Sequence, residues 1–251
     1  MSDTQNKTKI VVKNLTKKFG ELLVLDNINF SVGDGEFLCI VGPTGCGKTT
    51  FLNLLSNLLE PTYGNIFIEN EHIQPKKHNI AFVFQESSSL PWRTVKQNIT
   101  YGMEIKRKYS KEEIDSKAKE LMELVGLKNL ADHYPCDISA SMEQRVAIAR
   151  AFAVNPDLLL MDEPYGQLDV KLRYYLEDEL IKIWRRYKNT VIFVTHNVEE
   201  AVYLAERTLV LSNKPTTIKS EIKVNLPRPR NFLDPAFIKI VREITQLIKW
   251  W

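Results

Sequence analysis

The chain has 251 residues, of which 44% are hydrophobic and 26% charged, a balance typical of a globular protein that buries a sizeable core. Its 34 basic and 31 acidic side chains leave a net charge of only +3, which excludes the broad basic field of a protein that tracks nucleic acid backbones. Three cysteines in a chain of this length favour a reducing cytoplasm over a disulfide scaffold, and no apolar run approaches the roughly 20 residues of a membrane-spanning helix.

The first part of the chain predicts short strands around one strand–loop–helix unit. Apolar patterning and turn residues indicate strands over Lys9 to Leu15 and Leu22 to Val32. An apolar run from Phe37 to Val41 then meets a glycine cluster, and leucines at helical spacing follow it. The cluster is therefore expected to connect a strand to a helix. Two further strands are expected over Asn65 to Glu69 and Ile80 to Phe84.

The middle of the chain is predicted to be helical, because β-like runs are scarce from about Val95 to Arg150. Its clearest helix begins at Ser110, with Glu113 three residues later to form a capping box, and ends at Gly126. We interpret this stretch as a helical lobe inserted into the rest of the fold.

Buried strands return in the second half of the chain. Short apolar runs at Leu158 to Met161, Val191 to Thr195 and Thr208 to Leu211 are separated by helical patterns, which is typical of a parallel sheet covered by helices. A last helix is predicted to begin at the cap Asp234 and to serve packing. For the terminal pair Trp250-Trp251, a docking contact and a frayed end both stay open.

The glycine cluster, with the sequence GPTGCGKT at residues 42–49, fits the pattern G-x-x-x-x-G-K-[ST] between a predicted strand and a predicted helix. Backbone N–H groups of such a loop turn inward around phosphate oxygens at the positive end of the helix dipole. Lys48 would neutralise the outer phosphates, and the Thr49 hydroxyl would hold Mg²⁺. The candidate nucleotide contacts here are Gly42, Thr44, Gly45, Cys46, Gly47, Lys48, Thr49 and Thr50.

Polar side chains follow two of the buried strands. Asp162 would bind the metal ion through water, and Glu163 would polarise the water that attacks the γ-phosphate; the alternative is a strand end with a solvated loop. His196 follows the next strand, where ligands collect in α/β sheets. Asn197 is expected to cap the following helix, with Glu200 reaching back to it.

Taken together, these residues resemble the ATP-binding subunits of ABC transporters over essentially all of Ile10 to Leu211. Gln85 resembles the Q-loop glutamine, which contacts metal and senses the membrane partner, so it joins Glu163 and His196 as a candidate catalytic residue. Thr195-His196 resembles this family's H-loop, whose histidine supports the γ-phosphate. Gln167-Leu168-Asp169 resembles the D-loop, and this makes Asp169 a candidate nucleotide contact.

Two further nucleotide contacts are implied by the resemblance. Ser139 lies where the family's signature segment reaches the ATP held by the other subunit. Phe19 falls where an aromatic ring stacks on adenine, with an ordinary turn aromatic as the alternative.

The resemblance implies an α/β fold: a P-loop NTPase core with a mainly parallel sheet, an N-terminal antiparallel β lobe and an inserted helical lobe. It further implies a single ATPase domain over residues 1–251. The nucleotide-binding core would occupy about 1–94 and 151–215, the helical lobe about 95–150 and a C-terminal extension about 216–251.

Finer similarity points to the importers of nitrate, sulfonate, taurine and bicarbonate, on the segments Leu90 to Val95 and Leu226 to Arg230 and on Met142. That group implies a cassette at the cytoplasmic face of the membrane, paired as a homo- or heterodimer and serving a permease that a substrate-binding protein feeds. Nucleic acid is not an expected partner. Trp92 is a candidate permease contact, with helical-lobe core as the alternative.

The signature segment departs from the family pattern, because Ala140 and Ser141 stand where two glycines are usual. A positive φ there would cost a non-glycine residue about 1–2 kcal/mol, whereas an ordinary helix start would suit both residues. We hypothesise that the chain binds ATP normally but closes its dimer less readily than the family. The alternatives are pairing with a different cassette, a regulator that binds ATP without hydrolysing it, and a soluble ABC ATPase that acts on nucleic acid or ribosomes.

Overall fold

The computed structural model describes residues 7–86, 88–166 and 168–248. The pair Trp250-Trp251 lies outside the described residues, as does Gln167 of the predicted D-loop. In chain order the elements are β1 (Thr8–Phe19), β2 (Leu22–Gly33), β3 (Phe37–Val41), α1 (Lys48–Leu55), β4 (Tyr63–Ile68), β5 (Glu71–His72), β6 (Ile80–Val83), α2 (Val95–Lys106), α3 (Lys111–Leu124), α4 (Ala140–Ala153), β7 (Leu158–Asp162), α5 (Val170–Tyr187), β8 (Thr190–Thr195), α6 (Val198–Leu204), β9 (Arg207–Leu211), β10 (Ile218–Lys223) and α7 (Pro235–Ile248).

A four-stranded antiparallel sheet forms the N-terminal lobe, with the order β2-β1-β4-β5. Alternate residues of β1 and β2 are buried, because one face of this sheet packs on the core and the other meets solvent. The predicted β lobe is therefore present, and β1 extends four residues beyond the predicted end to Phe19.

The central sheet has six strands in the order β10-β9-β3-β8-β7-β6. All neighbours are parallel except β10, which pairs antiparallel with β9. Every residue of β3, β7 and β8 is buried, because helices or the β lobe cover both faces, and this is why these strands are continuous apolar runs in the sequence.

Two hydrophobic cores lie on opposite faces of the central sheet. Alternation along β3 divides its side chains between them: Cys39 and Val41 belong to the core on one face, and Leu38 and Ile40 to the core on the other. The first core includes residues of α2–α7, and the second includes α1 and the β lobe.

The helical lobe consists of α2, α3 and α4, as the sequence predicted. Ser110 and Glu113 form the predicted capping box at the start of α3. A second box, formed by Thr94 and Gln97, begins α2. No helix in the described residues is both long enough and apolar enough to cross a bilayer.

Candidate functional site

The phosphate loop joins β3 to α1 with a backbone that only glycine adopts easily. Gly45 and Gly47 have φ values of 76° and 113°. A Cβ atom on Gly47 would lie 2.8 Å from Val24 Cγ1, so this turn packs against the β lobe too closely for a side chain. The N-terminus of α1 follows at once, and its free N–H groups form an anion-binding site in front of the helix.

Lys48 is held across this loop. Its side chain is buried, and its Nζ donates to the carbonyl oxygens of Gly42 and Pro43, each at 3.1 Å. The same Nζ lies 3.5 Å from Glu163 Oε1. The ammonium is therefore fixed between the loop and the end of β7.

Carboxylates at the end of β7 face the phosphate loop. The Thr49 hydroxyl is hydrogen-bonded to the buried Asp162 carboxylate, and burial raises the pKa of that carboxyl although the Thr49 bond and Lys48 act in the opposite direction. Glu163 has a φ of 43°, a left-handed conformation that costs a non-glycine residue on the order of 1–2 kcal/mol. Its Oε2 lies 2.6 Å from His196 Nδ1, which follows β8. The strained backbone thus holds one carboxylate between Lys48 and His196.

Lys48, Thr49 and Glu163 border a cavity of about 390 Å³, whose described lining does not include Asp162 or His196. The sequence predicted eight of its lining residues, and Gln85, which follows β6, is one of them. The ninth, Lys214, belongs to no recognised motif. The lining residues are Thr44, Gly45, Gly47, Lys48, Thr49, Thr50, Gln85, Glu163 and Lys214.

Other predicted contacts are placed away from the described lining of this cavity. Phe19 ends β1; the residue is 46% exposed, and Lys17 Nζ lies 5.0 Å from its ring centroid. Ser139 and Asp169 are the N-caps of α4 and α5, and Asp169 Oδ1 accepts from Leu172 N at 3.0 Å. One copy of the chain therefore does not bring Ser139 to the phosphate loop.

The signature segment is an ordinary helix start. Ser139 is the extended N-cap, with φ −74°, and its Oγ accepts from Met142 N at 3.4 Å and lies 2.9 Å from Ser141 Oγ. Ala140 and Ser141 are in the first turn of α4 without a positive φ. The two non-glycine residues therefore cause no backbone strain here.

The cap of α6 is only half of the predicted box. Asn197 Oδ1 accepts from the backbone N–H groups of Glu199 and Glu200, as expected. The prediction that Glu200 reaches back is wrong, because α6 packs on the sheet and turns this side chain inward, where it is buried and bonded to Thr195. The Asn197 N–H donates to Thr195 Oγ1 at 3.0 Å instead.

Comparison with known proteins decides the family. The model of the ABC transporter family matches residues 25–166, which hold the phosphate loop, the signature segment and the end of β7. The chain belongs to the ABC transporter family. It is an ATPase cassette of that family, with the predicted combination of mainly parallel core sheet, antiparallel β lobe and helical lobe.

Relatives in the ABC family match over nearly the whole chain. The aliphatic sulfonates import ATP-binding protein SsuB of Bacillus cereus is 40% identical over 240 residues, which are 96% of this chain and 94% of SsuB. The nitrate import ATP-binding protein NrtD of Synechocystis is 40% identical over 241 residues, 92% of this chain and 90% of NrtD. A dimeric, post-hydrolysis structure of the ATP-binding cassette MJ0796 with ADP and Pi has a TM-score of 0.75 and 33% identity, covering 87% of this chain and all of that chain.

Proposed function

We propose that this cassette binds ATP with Mg²⁺ in the 390 Å³ cavity and hydrolyses it to drive an importer. One observation carries the proposal: the ammonium of Lys48 and the carboxylate of Glu163, residues 115 positions apart in the printed numbering, lie 3.5 Å from each other at the wall of the phosphate loop. A cation for the phosphates and a base for water are the two groups that this reaction needs.

The donors at the cavity suit magnesium. The Thr49 hydroxyl, the Asp162 carboxylate and the Gln85 amide supply the oxygen ligands that this ion prefers. When bound, Mg²⁺ would neutralise charge on the phosphates.

The hydrolytic step is assigned to Glu163 with His196. Glu163 accepts the proton of the attacking water, and the 2.6 Å contact to His196 Nδ1 orients its carboxylate. Lys48 draws the outer phosphates into the loop. For Ser139 to reach nucleotide, a second copy or a related cassette must present α4 to this cavity, which agrees with the dimeric relative.

The transported solute is proposed to be a small anion such as nitrate or a sulfonate, as in the two import relatives. Since those relatives are equally similar to this chain, the choice of solute belongs to other subunits: a permease and a substrate-binding protein. The cassette would then lie at the cytoplasmic face of the membrane. Trp92 is 71% exposed, so it is not helical-lobe core, and it is the candidate permease contact.

Two substitutions test the ATPase. Glu163→Gln keeps the shape of the side chain but accepts no proton, so phosphate release should fall by about 10²- to 10⁴-fold, while binding of a non-hydrolysable ATP analogue persists. Lys48→Ala should remove both binding and hydrolysis. Glu199→Gln, an exposed carboxylate at the start of α6, is the matched control and should behave as wild type.

Wild-type turnover in Glu163→Gln would refute the assignment. Analogue binding without any turnover in the wild-type chain, in assembled form, would favour the regulator that does not hydrolyse ATP. Co-purification of the tagged chain with an integral membrane protein tests the importer role, and co-purification with ribosomes or nucleic acid would favour the soluble alternative.

A further inference from the structure

The turn between β9 and β10, residues 212–217, is closed by its own hydrogen bonds. Ser212 N donates to Thr217 O at 3.0 Å, and Thr217 N donates to Ser212 Oγ at 2.8 Å. The Ser212 hydroxyl in turn donates to Pro215 O at 3.2 Å. These bonds across the turn give it a defined shape although most of its side chains are exposed.

This turn is also fastened directly to the phosphate loop. Thr216 is fully buried, and its hydroxyl donates to the carbonyl oxygen of Cys46, one residue before Gly47. On the other side, Thr216 N donates to Val24 O, and Asp26 N donates to Thr216 O, each at 2.9 Å. The turn therefore keeps a fixed position relative to both the loop and the β lobe.

Lys214 extends from this turn into the lining of the phosphate cavity. Within the described part of the chain it forms no ion pair with a carboxylate, so its ammonium is available to a ligand. Without it, the charged side chains of the chain at this cavity do not favour an anion: Lys48 supplies one positive charge, and Glu163 at the wall and Asp162 behind it supply two negative charges, so only the N-terminus of α1 and a bound Mg²⁺ would offset them. Lys214 brings this local sum from −1 to zero.

We propose that Lys214 is a second phosphate-binding cation, which contacts the polyphosphate chain of the bound nucleotide. The inference rests on the proposed function, because it concerns the same cavity. Lys48 is already shared among two carbonyl oxygens and Glu163, so any positive charge for the phosphates beyond this ammonium, the N-terminus of α1 and a bound Mg²⁺ has to come from elsewhere in the chain. The turn supplies it from a segment outside the phosphate-loop motif.

Calorimetric binding of the magnesium complex of AMP-PNP tests this role. Lys214→Ala should weaken binding by about 3- to 10-fold, as expected for one charged contact at an exposed site. Lys214→Arg should bind nearly as wild type. Lys223→Ala, which removes the same charge from β10 away from the cavity, should have no effect. Equal affinities of Lys214→Ala and Lys223→Ala would overturn the proposal.

Salt separates a charge contact from a structural effect. The loss of analogue affinity in Lys214→Ala relative to wild type should be smaller at about 0.5 M salt than at about 0.05 M, because counterions screen the wild-type contact between Lys214 and the phosphates. An affinity loss that does not change with salt, or a lower melting temperature of nucleotide-free Lys214→Ala, would also count against a direct contact between Lys214 and the phosphates.

Lys48→Ala distinguishes the two proposals. If Lys48→Ala abolishes analogue binding while Lys214→Ala binds as wild type, only the role of Lys214 fails. If Lys48→Ala binds the analogue as tightly as wild type, the proposed ATP site is refuted, and the role of Lys214 is refuted with it.

Discussion

Glu177 on α5 and Glu200 on α6 are two buried carboxyl groups that lie near each other. Glu177 has no hydrogen-bond partner on either oxygen in the described residues, and burial together with the nearby Glu200 raises its pKa to about 9. Burial likewise raises the pKa of Glu200 to about 7, although Thr195 and Arg173 act in the opposite direction. Asp178 and Glu199 add to the negative field around Glu177, which Arg173 partly offsets.

This arrangement predicts that the free energy of unfolding falls as the pH rises. Folded Glu177 keeps its proton up to about pH 9, whereas the unfolded chain loses it near the ordinary value of 4.5. The folded state therefore binds one more proton at this group between these limits, and the free energy of unfolding should fall by about 1.4 kcal/mol per pH unit within that window. Glu177→Gln, which stays neutral, should have a flatter profile in urea unfolding measured at several pH values from 6 to about 9.

Glu243→Gln provides the comparison, because Glu243 is an exposed carboxylate on α7 and its loss should leave the pH profile unchanged. If the Glu177→Gln and wild-type profiles run parallel, the buried carboxyl is not protonated in the folded chain.

The contrast between these residues and the phosphate loop explains what could be predicted at this scale. Lys48 and Thr49 belong to a contiguous pattern whose chemistry is local, so eight neighbouring letters are enough to recognise it. Glu177 reads as one more polar position of an amphipathic helix, and Lys214 as a loop lysine. Their surroundings are built by segments far away in the sequence, which no local pattern records.

Among the elements, α6 depends on a segment that follows it by about 20 residues in the printed sequence. Arg228 and Arg230 both donate to the carbonyl oxygens at its C-terminal end, which would otherwise lack partners. Arg230 does so while almost fully buried, and burial lowers its pKa to about 10, so it remains charged at neutral pH. The accepting carbonyls belong to Val202, Tyr203, Leu204 and Ala205, and Arg230 also donates to Val224.

We therefore expect Arg230→Met to destabilise the chain by about 2–4 kcal/mol, because buried carbonyl groups lose their donors while the volume is kept. Urea unfolding measures the effect. Arg242→Met on the exposed face of α7 should change stability by less than about 0.5 kcal/mol. Equal unfolding midpoints for the two variants would show that the carbonyls find other partners.

The elements that the sequence predicted well are those with one dominant physical cause. The strands β3, β7 and β8 are buried on both faces and read as apolar runs. The strand β10 was not predicted from the sequence, because it is an edge strand with mostly polar residues that forms by pairing with β9. The Glu200 half of a capping box was wrong because packing on the sheet overrides a local cap.

At the scale of the whole molecule, the predicted nucleotide contacts lie at two separate places on the chain. The phosphate loop and Glu163 border one cavity, whereas Ser139 begins a helix of the other lobe and is absent from the described lining. Two copies with two-fold symmetry would form two equal sites, each from the loop of one copy and the signature of the other.

Mixing two inactive variants tests the shared site. Lys48→Ala disables one half, and Ser139→Asp places a negative charge against the phosphates while keeping a good N-cap, so α4 remains intact. Each variant alone should be inactive in the assembled protein. In an equal mixture about half of the dimers are mixed and each mixed dimer keeps one intact site, so about a quarter of the wild-type ATPase activity should return.

The control is a chain with both substitutions mixed with Lys48→Ala; these dimers have no intact site, so no activity should return. If the mixture of Lys48→Ala with Ser139→Asp also stays inactive, either hydrolysis requires two intact sites in one dimer or Ser139 does not act across the dimer. Full ATPase activity of Ser139→Asp alone would rule out the shared site.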